Sequence, residues 1–111
     1  GRDMAETCAT ELLDEALQVG ARELDALRAG DVDLASELCE RRADLMERGW
    51  ARRENDCGEL RSRLLALRDL QELLFEEGRA LKRQIRDQLN QSKEQMRRMR
   101  GYGQAVGQAM R

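Results

Sequence analysis

From Glu59 to Arg100 the chain contains no Pro, and its apolar residues recur at Leu60, Leu64, Leu67, Leu74, Leu81, Ile85, Leu89, Met96 and Met99. With Gln71, Gly78 and Ser92 in the gaps, the steps alternate between four and three residues. Only at Leu81, Ile85 and Leu89 do two fours run together. This spacing lays one continuous apolar stripe, with a single stutter, along a helix. About 42 residues at 1.5 Å each make that helix roughly 63 Å long. Gly78 is the only Gly in the stretch and lies on the stripe. A helical Gly costs about 1 kcal/mol against Ala, but it leaves room for another backbone. A second row, Ala66, Leu70, Leu73 and Ala80, runs beside the first. The apolar face is therefore wider than a two-stranded seam and fits a small bundle.

The rest of the chain supplies partners for that helix. Ala9, Leu13, Leu17, Gly20, Leu24 and Leu27, flanked by Leu12, Ala16 and Val19, predict a first helix over about 4–29. Ala29-Gly30-Asp31 stops it, with Gly30 placed for the left-handed residue after a helix and Asp31 or Asp33 placed to cap the next one. A second helix over about 32–52 carries Ala35, Leu38, Cys39, Leu45, Met46 and Trp50 inward. Arg52 to Gly58 is polar and reads as a turn, with Asn55 or Asp56 capping a third helix over about 57–100; a kink from the second helix into the third is the alternative. Gly101, Gly103 and Gly107 then predict a flexible tail over 101–111. The expected fold is all-α: a three-helix antiparallel bundle over residues 1–100 with one long C-terminal helix.

Composition fits solvated helices, with 38% charged residues and 3% aromatics. There is no His, which removes the usual general base and the commonest metal ligand. No phosphate loop, metal-binding motif or nucleophile elbow is present, so neither catalysis nor a cofactor or metal is expected. Cys8, Cys39 and Cys57 are far apart and read as small buried apolar residues in a reducing compartment; a redox or metal role is the alternative. No apolar run is long enough to span a bilayer, and the first residues lack a signal-peptide pattern, so a cytoplasmic protein is expected. Residues 1–40 hold three Arg against eleven Asp and Glu, a net of −8. Residues 79–111 hold nine Lys and Arg against two acids, a net of +7. Either the two ends attract each other within the bundle, or the basic end meets an acidic partner or, as a less favoured reading, nucleic acid.

Helix length carries a functional implication. A second helix of about 20 residues, running back along the third, ends opposite about residue 78, and the first helix reverses there. Nothing then covers the third helix beyond about Leu81, although the stripe continues. An uncovered apolar stripe marks a binding surface or an oligomer interface. The candidate partner-binding residues are Leu81, Ile85, Leu89, Met96 and Met99, with Arg86, Arg97 and Arg100 steering the partner. A coiled-coil homodimer without a client is the alternative. Nucleic acid is not expected, because one aromatic, Tyr102, is a poor stacking platform and the acidic half repels a duplex.

The stretch Glu23 to Met46 resembles the first helical hairpin of flagellar type III export chaperones of the FlgN/FliT type. The shared features are a Gly30-Asp31 turn, spaced Leu residues in the second helix, and a basic residue before a Leu-Leu-like pair, here Arg42 and Leu45-Met46. Met46 departs mildly from the pattern. A long third helix and a C-terminal Tyr between glycines, Tyr102, are also similar. The resemblance implies a cytoplasmic chaperone that holds the C-terminal amphipathic segment of a flagellar axial protein, either the hook–filament junction or the filament cap. It would then deliver that client to the export gate or export ATPase complex, with Tyr102 as a residue for docking there or as an anchor of the tail.

Overall fold

The computed structural model describes residues 7–109 and contains three helices, α1 (Ala9–Arg28), α2 (Val32–Ala51) and α3 (Leu60–Ala109). The chain divides into two compact units, Gly1–Arg79 and Ala80–Arg111. The first unit is the bundle, running up, down and up. The second is the continuing length of α3.

Gly30 ends α1 as its sequence predicts. Its φ is +75°, a conformation open to Gly without a Cβ penalty. The Asp31 N–H donates to the Ala26 carbonyl at 2.9 Å and the Gly30 N–H to the Leu27 carbonyl at 3.1 Å, the paired bonds of a Schellman motif. Asp31 then caps α2, its carboxylate accepting from the Leu34 N–H at 3.1 Å. The reversal is tight, so α1 and α2 pack antiparallel. Leu12, Leu13, Ala16, Val19 and Ala26 of α1 meet Ala35, Leu38 and Leu45 of α2 and Leu67 of α3 in one core. Glycine makes the α1–α2 approach possible at Gly49, where an added Cβ would lie 2.8 Å from a buried Leu13 methyl.

α1 and the first part of α3 lie parallel. Asp14 pairs with Arg63, and Arg28 Nε donates to Glu77 Oε1 at 3.2 Å. Gly20 faces Leu70, which an added Cβ would strike. This register is fixed at the start of α1. The Ala9 N–H donates to the Asn55 carbonyl at 2.9 Å. The buried Thr10 hydroxyl lies 2.7 Å from both an Asp56 carboxylate oxygen and the Gly58 carbonyl. Arg52 donates to the Thr7 carbonyl at 3.3 Å. A disulfide joins Cys8 to Cys57 across 49 residues, with the Cα atoms 5.9 Å apart.

These contacts correct several expectations. α1 starts at Ala9 rather than Met4, because the chain at Cys8 is drawn into the tie; residues 4–6 lie outside the described residues. α3 starts at Leu60 rather than 57, and neither Asn55 nor Asp56 caps it. Asp56 instead accepts from the Gly58 N–H at 2.9 Å and from Thr10. Cys8 and Cys57 are not isolated thiols, and Cys39 is exposed rather than buried. Disulfides persist in oxidising compartments and are rare in a reducing cytosol, so a reducing compartment no longer follows from the cysteines. Trp50 also points outward, and the Arg53 guanidinium lies 4.7 Å from its ring centroid. The tail expected from 101 is helical to Ala109. Each Gly there costs about 1 kcal/mol in a helix, but there is no Pro to break the hydrogen-bond ladder.

Two stability changes are expected. Replacing the cross-link with Cys57→Ser should lower unfolding free energy by about 4 kcal/mol on the chain-entropy account of a loop of this size. Gly49→Val should cost about 1–3 kcal/mol through overpacking against Leu13. Both are read as shifts in the urea midpoint.

Candidate functional site

Among the described residues, each unit has an open apolar surface. In the first unit, α2 and α3 stand apart along one edge and leave a groove. It consists of two adjoining depressions of about 370 and 320 Å³ that share Gln71 and Phe75. One is lined by Met46, Leu64 and Leu67, the other by Val32, Cys39 and Leu74. Phe75 is 60% exposed, a large apolar side chain in water at the groove wall.

The groove is closed beneath by an ion pair. Arg42 Nε donates to Glu23 Oε1 at 2.7 Å, and the two side chains retain only 11% and 6% exposure. The guanidinium also points Nη1 at the Met46 sulfur, 3.5 Å away, and Nη2 at the Cys39 sulfur, 3.8 Å away. Burial alone would lower the pKa of Arg42, but the hydrogen bond and charge of Glu23 outweigh it and the net shift is upward. Arg42 therefore holds its charge inside the bundle and fixes Glu23, which α1 carries on its inner face. Gly78 lines the groove, and among the described residues nothing beyond its chain neighbours and its own helix backbone lies within 4 Å of where its Cβ would be.

The second unit is a single helical segment with no buried residue among those described. All nine candidate residues named from sequence lie in it. Leu81 is half-buried; Ile85, Leu89, Met96 and Met99 are 39%, 56%, 54% and 73% exposed. At 100° per residue these five side chains fall within one sector of the helix. Arg86, Arg97 and Arg100 are exposed along one edge of that sector, and the exposed Tyr102 lies on the other. The helix thus presents an apolar seam with charged and uncharged borders.

Sequence reasoning missed the groove. Phe75 sits one position beside Leu74 of the stripe and was not assigned a role. Its exposure depends on how far α2 stands from α3, which periodicity does not encode. The Glu23–Arg42 pair was equally hidden, since nothing in the spacing of the two residues marks them as partners.

Among the described residues, Cys8, Glu11 and Cys57 form the one cluster of metal-ligand type, and its two sulfurs are already bonded to each other. No described helix is long and apolar enough to cross a membrane. Removing half of the buried pair, as Glu23→Ala, should cost about 3–5 kcal/mol because it strands the Arg42 charge. The double change Glu23→Leu with Arg42→Met should recover most of that loss in thermal melts. Comparison with protein families, with curated proteins and with solved structures returns no match for this chain.

Proposed function

We propose that this protein captures an amphipathic helix of another protein on the seam formed by Leu81, Ile85, Leu89, Met96 and Met99. The observation that carries this reading is the exposure of four large apolar side chains in succession on one helical face. Such a face is costly to leave in water at roughly 25 cal/mol per Å², and contiguous apolar patches are rare on proteins without partners. Met adds adaptability, because its unbranched thioether side chain repacks around different ligands.

The client class comes from the resemblance of Glu23 to Met46 to flagellar export chaperones of the FlgN/FliT type. In this reading the client is the C-terminal segment of a hook–filament junction or filament cap protein. Covering its apolar face prevents assembly before export, and the export gate or ATPase complex receives it next. The work is done in the cytoplasm, where Cys8 and Cys57 would be held as thiols. The reading therefore requires the bundle to stay folded after reduction on its core and on the Ala9 and Thr10 hydrogen bonds. Tyr102, 73% exposed near the helix end, is available for a second contact.

Calorimetric titration of the reduced protein with C-terminal peptides of junction and cap proteins tests the proposal. One peptide should bind near one to one, and Ile85→Asp with Leu89→Asp should abolish binding without loss of helicity. Absence of binding from folded protein, together with a doubled mass in solution, would instead establish a homodimer without a client.

A further inference from the structure

The borders of the seam in the second unit are chemically unlike each other, and the difference specifies the partner. From Ile85 onward the seam follows a heptad, with Leu89 and Met96 at a and Ile85, Ser92 and Met99 at d. The e positions are then Arg86, Lys93 and Arg100, all cations. The g positions are Gln88, Gln95 and Tyr102, all uncharged. Each of the six is exposed. In helix pairs the e and g residues flank the apolar seam and set partner choice and orientation.

None of the three e cations has an ion-pair partner among the described residues. The Glu94 carboxylate is engaged instead by Arg97 and Arg98, at 3.5 and 3.7 Å, away from the seam. Lys93 and Arg100 also line a depression of about 220 Å³ with Met96 and Arg97, so apolar surface and unpaired cations meet there. A second copy of this segment cannot neutralise the row. Paired antiparallel, e faces e and cation meets cation; paired parallel, e faces the uncharged g row.

We infer that the seam selects an amphipathic helix from another protein that carries a row of carboxylates along one border of its own apolar face, set against Arg86, Lys93 and Arg100. This rests on the helix-capture reading and specifies the chemistry of the captured helix. Like-charged borders repel, so a helix with a basic border is rejected even when its apolar face fits.

The test uses the 111-residue chain and two synthetic amphipathic helices that share identical a and d residues. One carries Glu along a single border of its seam, the other Lys at the same positions. Binding is measured by calorimetry at low and high salt. The Glu-bordered helix should bind roughly thirtyfold more tightly at low salt, from three paired contacts exchanged for three repulsions. The preference should shrink at high salt as the charges are screened. In the triple variant Arg86→Glu, Lys93→Glu, Arg100→Glu, with helicity confirmed by circular dichroism, the preference should reverse. Equal affinities for the two helices would overturn the charge selection while leaving helix capture standing. Binding of neither helix to folded protein would overturn helix capture itself, and the inference with it.

Discussion

The tie between the start of α1 and the α2–α3 connection sets the register on which the packing of the first unit depends. Cys8 and Cys57 are joined, Thr10 reaches Asp56 and Gly58, and the Ala9 N–H is satisfied by Asn55. Further along, Asp14 meets Arg63 and Arg28 meets Glu77. Each of these side-chain pairs, and the disulfide, spans close to the same interval in sequence, so α1 and α3 run side by side with residues in step. Since Gly30 ends α1 just after Arg28, the register also decides which part of α3 receives cover. Leu67 and Leu74 are buried, and no described residue after Leu74 is.

That distribution separates two roles for one apolar stripe. Up to Leu74 its residues are core, and their burial stabilises the bundle by roughly 1.5–3 kcal/mol for each large side chain. From Ile85 they face water, where they contribute nothing to the fold of the chain as it stands. Arg86, Lys93 and Arg100 lie exposed along one border of that surface, without an ion-pair partner among the described residues.

Much of this was legible in the sequence, and the failures share a cause. The all-α class and the α1–α2 turn follow from local rules: 3.6-residue periodicity, the left-handed Gly30 and the Asp31 cap. Helix starts were missed where a distant residue intervened. Thr10 and Asp56 are bound to each other rather than to their own helix ends, and Cys8 pairs with a residue 49 positions away. The glycines at 101, 103 and 107 predicted a break because Gly is unfavourable in helices, yet a backbone without Pro keeps its hydrogen-bond ladder. The groove beside Phe75 and the buried Glu23–Arg42 pair arise from the spacing of helices, which no single stretch of sequence records. The flagellar chaperone reading rests on the resemblance and on the open seam, and the disulfide makes the redox state of the working protein part of the question.

The most direct measurement is amide hydrogen exchange, resolved by segment, on the chain alone and with an acidic-bordered amphipathic helix bound. The account predicts rapid exchange over residues 80–109 in the free protein, against slow exchange at Leu12–Ala16 and Leu67–Leu74, with new protection on binding confined to 80–109. Protection of 80–109 equal to the core in the free protein would contradict it, as would new protection that appears only in the first unit.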